Sequence, residues 1–454
     1  MISCTQLTQA IGLGLSLLVT QTLAAVPADQ ISRLDKDLTP IGAERTGNAD
    51  GTIPPWTGGL PKDVSQRDAN GFLPDPYAAD KPLFIITAQN VEQYKDRLTP
   101  GQLALFKRYP NSYRIPVYPS RRSVSLPQKY LDSTRLNAVD THLENNGDAL
   151  QNYRSSGLPF VIPQNGLEVV WNHIGRYRGQ SFQRLVVQAS PQVDGSFTPS
   201  LIEQQLAYPQ GLSDYSPGEM ANILYFFRQE VLSPVRLAGN IGLVHETINQ
   251  VEEPRMAWQY YADQRRVRRA PQVAYDSPGA EGMRTTDDFD MFNGAPDRFD
   301  WKLVGKKELY IPYNAYQLGS PKLRYDDIIK PGHLNPEHTR YELHRVWHVT
   351  ATLKPGQRHV YSRRDLYIDE DSWQAAEADA YDSRGNLWRV SEGHTSFFYD
   401  QQMPLFNAET HYDVQSGRYA VNALYNEQKN AYQFDLDFNR KQFTPSALRS
   451  SGIR

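Results

Sequence analysis

The sequence predicts an α+β fold dominated by one large antiparallel sheet that curls. Three observations lead there. Helix signals cluster before residue 180, whereas segments of alternating polarity follow one another from Arg178 onward; helices segregated from runs of strands mark the α+β class. Tyrosine outnumbers phenylalanine, 27 to 17, and 31 Pro with 30 Gly punctuate the chain, a composition suited to pleated, loop-rich structure. A sheet of about ten or more strands does not stay flat, and its concave face is where a ligand would go.

Composition excludes several functions. The 48 Lys and Arg nearly balance 51 Asp and Glu, which removes the bulk electrostatic argument for nucleic acid. A hydrophobic content of 39% and a mean hydropathy of -0.60 are too polar for a multispan membrane protein. With 7 Trp, 27 Tyr and 17 Phe the chain has ample material for a core, so it is not disordered.

The first charged side chain is Asp29, and before it Ala10 to Val19 is an apolar run followed by Thr20-Gln-Thr-Leu-Ala-Ala25. Residues 1–24 are therefore expected to be a secretory signal, although its start carries no Lys or Arg. Ten apolar residues make a helix of about 15 Å, half a bilayer core, so no transmembrane segment is expected in the mature chain. Cys4 is the only cysteine and would leave with the signal, which excludes disulfides, thiolate metal sites and cysteine nucleophiles. The expected location is periplasmic.

Residues 25–80 read as an extended, loop-rich N-terminal arm. Gly47-Asn-Ala-Asp-Gly51, Pro54-Pro55, Gly58-Gly59 and Asp68-Ala-Asn-Gly71 are turn signals in close succession, with Trp56 and Phe72 as anchors. Residues 81–454 are expected to form a single curved-sheet domain. A helix is expected over Val91 to Leu98 after Asn90; a second follows the Thr99-Pro-Gly-Gln102 capping box; a third starts at Asn165 with Glu168, its apolar stripe formed by Leu167, Val170, Trp171 and Ile174. Strands are expected over Ser181–Ala189, Ile241–Ile248, Met256–Tyr261 and Arg265–Val273; Ile223–Val231 follows a helix-start signature, Ser216-Pro-Gly-Glu219, but its Ile-Leu-Tyr-Phe-Phe suits a strand buried on both faces, and a strand is expected. The longest is Tyr341–Leu353, and hairpin segments continue to Asp437.

No motif carries catalysis. P-loop and dinucleotide fingerprints and a G-x-S-x-G elbow are absent from the sequence. His344 and His348 have the spacing of zinc helices, but on a strand they stand about 13 Å apart, so hydrogen-bonded strand histidines are expected and no metal or other cofactor. His333 and His338 fall in a loop. Asp369-Glu370-Asp371 and Asp287-Asp288 with Asp290 are expected to be solvated turns, and Asn48 to Gly51 and Asp68 to Gly71 turns without the closing Glu of a calcium loop. Arg265, Arg266, Arg268 and Arg269 place cations on both faces of a strand, suited to a headgroup or an anionic partner.

Leu38-Thr-Pro-Ile-Gly-Ala-Glu44, Gly47 through Gly59, Asn165-Gly-Leu-Glu-Val-Val-Trp-Asn-His173, Arg265 to Pro271 and Asp290-Met-Phe-Asn-Gly294 through Lys307 resemble a family of proteobacterial periplasmic proteins grouped with the outer-membrane lipoprotein-sorting fold. The likeness spans nearly the whole mature chain. It implies a LolA/LolB-like architecture, a strongly curved antiparallel sheet or incomplete β-barrel with helices plugging its concave side. It also implies an outer-membrane β-barrel and an RND-type exporter as partners, and supplies no catalytic residues. The chain departs from the lipoprotein carriers in size, which puts lipoprotein in doubt as cargo.

The resulting expectation is a non-enzymatic carrier or chaperone for a lipid or other hydrophobic molecule, with Trp258, Tyr260, Trp347, Val349, Tyr367 and Trp388 as apolar wall residues. The alternatives are a hydrolase acting on envelope polysaccharide or lipid, and a ligand-free scaffold subunit of an export complex.

Overall fold

The computed structural model describes residues 26–451 except 217, 219, 271–274, 280 and 281. The expected signal, with Cys4, lies outside the described residues, as do Pro217 and Glu219 of a helix-start signal before Ile223. Among the described residues no helix is long and apolar enough to cross a membrane.

In chain order the described strands are β1 (Phe84–Ile86), β2 (Ile115–Tyr118), β3 (His142–Glu144), β4 (Ala149–Gln151), β5 (Ser181–Ala189), β6 (Ser200–Ala207), β7 (Ile223–Ser233), β8 (Ile241–Thr247), β9 (Met256–Tyr261) and β10 (Arg266–Arg269). There follow β11 (Pro278–Gly279), β12 (Arg284–Thr285), β13 (Phe299–Pro312), β14 (Tyr341–Leu353), β15 (Arg363–Asp369), β16 (Ala375–Tyr381), β17 (Leu387–Phe398), β18 (Met403–Asp413), β19 (Tyr419–Leu424) and β20 (Tyr432–Phe434). The helices are α1 (Ala28–Ile31), α2 (Pro100–Arg108), α3 (Gln128–Asp140), α4 (Gly166–Gly175), α5 (Tyr325–Ile328) and α6 (Pro445–Ser451).

Sixteen strands form one open sheet. Its path runs β1-β2-β14-β15-β16-β17-β18-β19-β5-β6-β7-β8-β9-β10, with β13 along the other edge of β14 and β20 beside β5. All pairings are antiparallel except the short parallel contact of β2 with β14. Two meanders, β14–β19 and β5–β10, thus meet where β19 and β20 share one edge of β5. The sheet is strongly curved: Leu366 of β15 and Phe227 of β7, far apart along it, belong to one buried cluster with Val169, Val170, Trp171 and Ile174 of α4. α4 therefore plugs the concave side. Its start is capped as expected, Asn165 accepting the Glu168 backbone N–H at 3.0 Å while Glu168 accepts that of Gln164 at 2.6 Å.

The convex side carries its own layers. α2 docks there through Leu105 and Phe106, packed among Val390, Ala408 and Tyr412. Its Thr99/Gln102 capping box forms, and Glu377 and Asp379 add carboxylates, accepting from Thr99 Oγ1 at 2.8 Å and from the Gly101 N–H at 3.0 Å. The C-terminal segment covers the convex side of β7–β9, with Phe438, Phe443 and Leu448 against Phe226, Ile241, Leu243 and Tyr260.

The described part of the arm lies over other surfaces: Trp56 Nε1 donates to Val124 O at 3.1 Å, and buried Phe72 stacks on Tyr425 at 5.7 Å. The helix expected over Val91 to Leu98 is instead two 3-10 turns, Val91–Gln93 and Lys95–Arg97. Asn90 spends its side chain backwards, accepting from the Thr87 N–H at 2.7 Å and donating to Ile85 O at 3.0 Å, and so does not cap.

The carboxylate runs are not solvated turns. Asp369, Glu370, Asp371 and Asp287 are all buried: Glu370, Asp371 and Asp287 are met by cations from distant segments, and Asp369 accepts from the Ser372 N–H and Oγ and from Tyr313 Oη. Arg122 holds both oxygens of Asp371 at 2.6 and 2.8 Å, Lys306 reaches Glu370 at 2.8 Å, and Arg364 and His359 reach Asp287 at 3.1 Å.

Candidate functional site

β5–β9 enclose a cavity of about 470 Å³ on their concave side. Strand register orders its wall into bands, since residues paired across neighbouring strands share a face and a height. At the base, Tyr225 pairs with Glu246. Two residues further along the strands comes an apolar belt, Phe182–Leu206–Phe227–Val244–Ala257. The next row is Arg184–Gln204–Gln229–Gly242–Gln259, an amide stripe with an arginine at its inner end. A Cβ on Gly242 would stand 3.4 Å from both Gln229 and Gln259, so the glycine leaves a notch between two amides. Above it Val186, Ile202, Val231 and Leu237 make the cavity wall apolar again. Rows two residues apart lie about 7 Å apart, which puts the stripe about 13 Å above the base.

The facing wall comes from Leu405, Phe406 and Ala423 of the other meander and from Phe289, which meets Phe227 at 5.3 Å.

The base is ionic and closed. Asp290 sits between Arg176 and Arg178, accepting from each at 2.6 Å, and Arg178 also donates to Tyr208 Oη at 3.0 Å and to Ile174 O at 3.0 Å. Burial alone would raise the Asp290 carboxyl, but Arg176 and Arg178 outweigh it and hold it down to about 2. Arg255 pairs with Glu246 at 2.8 Å, and Asn293 Nδ2 donates to Glu246 at 2.9 Å and to Tyr225 Oη at 2.6 Å. His173, on α4 beside this group, is pushed down to about 3 by burial and then by Arg176. It is a neutral imidazole, taking the Ala375 N–H on Nδ1 at 3.0 Å and facing Asp290 O from Nε2 at 2.9 Å.

Of the six residues expected to line a cavity, only Trp258 borders this one. Its indole packs on the convex side, 4.8 Å from the His245 ring. Tyr260 is fully buried there under the C-terminal segment. Val349 is packed beneath α4 in the concave cluster, and Trp347 stacks on Trp373 at 5.9 Å with Lys306 Nζ 4.7 Å above it, at a smaller cleft of about 300 Å³ beside the N-terminal segment. Tyr367 faces the other way, stacked on His348 at 4.7 Å, and Trp388 donates to Asp413 at 3.0 Å near the start of β17. Arg266, Arg268 and Arg269 are exposed on the edge strand β10, after Arg265 in the preceding turn. Arg268 pairs with Gln259 and so continues the amide stripe to the sheet edge.

The residues that do line the cavity went unread because they are unremarkable singly: a glutamine midway along β6, β7 and β9. The signal was there as the inward alternation Phe182-x-Arg184-x-Val186 and Tyr225-x-Phe227-x-Gln229, once the inward face is known.

Among the described residues His344, Asp369 and Asp371 could each offer one ligand atom to a metal, all within 4.8 Å of one another. Asp371 and His344 are engaged, Arg122 taking both Asp371 oxygens and Glu342 facing His344 Nε2 at 3.0 Å, while Asp369 accepts from Ser372 Oγ at 2.6 Å through Oδ2 and its buried Oδ1 has no hydrogen-bond partner among the described residues. Burial and the neighbouring Asp371 push Asp369 up to about 6. His348 is likewise hydrogen-bonded to a strand carboxylate, Asp365, at 3.4 Å.

Residues 85–449 match the family described as protein of unknown function, DUF1329. The chain belongs to that family. It is 57% identical to an uncharacterized protein, PA3922, of Pseudomonas aeruginosa over 97% of each chain. Two solved structures are similar at lower levels. One is a candidate outer membrane lipoprotein-sorting domain from Vibrio parahaemolyticus, 11% identical with a TM-score of 0.43, covering 63% of this chain and 98% of that one. The other is a DUF1329 family protein from Desulfovibrio piger, 14% identical with a TM-score of 0.42, covering 60% of this chain and 92% of that one.

Proposed function

We propose that this DUF1329 protein is a periplasmic carrier that shields a lipid or other hydrophobic molecule in the concave cavity of β5–β9, working without bond making. The observation that carries this reading is the cavity itself. A space of about 470 Å³, walled by Phe182, Leu206, Phe227, Val244, Ile202 and Phe406, lies within the about 300–1,000 Å³ usual for small-molecule sites. Packed interiors have few voids larger than a water molecule, so a largely apolar hollow of this size suits a guest. Burying acyl surface there would contribute about 0.8 kcal/mol per CH₂.

A lipid lying along the belt has room. Five strands at about 4.8 Å spacing give about 19 Å from Phe182 to Ala257. The partners this reading takes from the family resemblance are an outer-membrane β-barrel and an RND-type exporter, which would load or empty the cavity. Native mass spectrometry of the protein purified from its host tests the proposal. A co-purifying mass of lipid size is expected; repeated purification with nothing bound, and no uptake of a fluorescent apolar probe, would leave a ligand-free scaffold as the better account.

A further inference from the structure

Among the described residues, two cations in the wall of the cavity have no counter-charge. Arg184, half-buried in the middle of β5, donates from Nε to Gln204 at 2.8 Å and lies over the Phe182 ring at 5.6 Å. Among the described residues it forms no ion pair. The convex side of the same strands treats an arginine differently. Arg228 of β7 is met by Glu230 at 2.6 Å and by Glu203 at 3.6 Å. One residue along β6, on the concave side, stands Gln204, and one residue along β7 stands Gln229. The inward row therefore surrounds a cation with amides that can donate but carry no charge. Across the cavity Arg284, from the segment that lays Phe289 on the belt, also has no ion pair among the described residues; its Nε is buried without a partner. Among the described residues, the anions that line the cavity are each engaged: Asp290 by Arg176 and Arg178, Glu246 by Arg255, and Glu409 by the Met291 N–H at 3.1 Å.

We propose that the cavity takes an anionic amphiphile, with the acidic group of the ligand, a carboxylate or a phosphate, on Arg184 and the neighbouring Gln204 and Gln229 at the inner end of the stripe and its apolar body on the Phe182–Ala257 belt. This deepens the carrier reading and rests on it. A guanidinium offers a planar set of donors matched to carboxylate and phosphate oxygens, and the amide Nε2 groups of the glutamines add donors in the same row. In a partly desolvated site a charge-assisted hydrogen bond is stronger than its surface counterpart, so an acidic head should be preferred over a neutral one of the same chain length.

The test uses the full mature chain and displacement of the neutral fluorophore 1-aminoanthracene by dodecanoate, dodecyl phosphate and dodecanol. Dodecanoate or dodecyl phosphate is expected to bind at least tenfold tighter than dodecanol, and which of the two is tighter separates a carboxylate ligand from a phosphate one. Arg184→Gln should bring the ratio of acid to alcohol close to one, while Arg184→Lys keeps most of it. The ratio is the readout, so a general loss of affinity in one variant does not imitate the result. Equal binding of acid and alcohol by the unaltered protein, or a ratio that Arg184→Gln leaves in place, overturns the headgroup assignment while the carrier reading stands. Failure of all three amphiphiles and of the fluorophore to bind overturns the carrier reading itself.

Discussion

On the concave side of β14 and β15, Val349, Leu366 and Ile368 lie beneath α4, and Trp373 and Ala375 close the space beside them. On the concave side of β5–β9, the corresponding inward positions carry Phe182, Leu206, Phe227 and Val244, and they face a hollow. Both halves alternate inward and outward residues, so the difference is not one of pattern. It follows from the size of the plug. A helix of ten residues is about 15 Å long, the width of about three strands, and cannot cover a sheet of this breadth. One half is consequently a core and the other a container, and the Asp290 cluster lies on the boundary between them.

Breaking that boundary should have the largest effect. Asp290→Ala leaves Arg176 and Arg178 buried without their shared carboxylate, and such a loss costs about 3–5 kcal/mol. Urea denaturation should show it; a change below about 1 kcal/mol would mean that the two arginines do not need Asp290 to hold the end of α4. The same cluster predicts a pH effect. His173 titrates near 3 when folded and near 6.5 when unfolded, so between those values the unfolded chain binds the extra proton. Stability from this residue is complete above about pH 6.5 and is lost as pH falls toward 3. Replacing His173 by Gln should flatten the acid side of the stability profile, and an unchanged slope there would contradict the neutral, buried imidazole.

A smaller and more pointed comparison places the same substitution in each half. Ala375→Phe, in the packed half, forces a ring into filled space and should cost about 1–3 kcal/mol. Ala257→Phe, on the belt, puts the ring into the hollow, should cost less than about 1 kcal/mol, and should abolish 1-aminoanthracene binding. If both destabilise equally, the two halves are packed alike and the container account fails.

The parts of this arrangement that local chemistry dictates could be read from the sequence. The Thr99/Gln102 box, the Asn165 cap with Glu168 and the alternation of Tyr341–Leu353 each rest on residues within a few positions of one another. What depends on distant partners could not. α3 went unseen because its buried stripe, Tyr130, Thr134, Asn137 and Ala138, is half polar while Leu136 and Val139 are exposed, so the apolar period is scrambled. Burial of Glu370 and Asp371 depends on Arg122 and Lys306, far away in the chain. The wall of the cavity turned on parity. Trp258 and Tyr260 attract attention as aromatic residues, yet Ala257 and Gln259, which alternate with them, face inward, and a large ring is what a strand uses where space is to be filled.

The smallest effect is expected at the far end of the amide stripe. Arg184 and Arg268 terminate the same row, one half-buried in the sheet and the other exposed on the edge strand. If Arg265, Arg266, Arg268 and Arg269 contact an acidic headgroup or partner, they do so through solvent. Exposed charges are screened beyond about 10 Å at 0.1 M salt. Changing all four to Ser should therefore alter stability by no more than about 0.5 kcal/mol. It should slow dodecanoate association less than about tenfold in low salt, by removing electrostatic steering, and have no effect in 0.5 M NaCl. The acid-to-alcohol ratio set by Arg184 should survive that salt, because a partly desolvated pair is screened much less. Stopped-flow association at the two salt concentrations separates the ends of the row, and salt sensitivity at Arg184 equal to that at the edge strand would show that the stripe is open to water along its whole length.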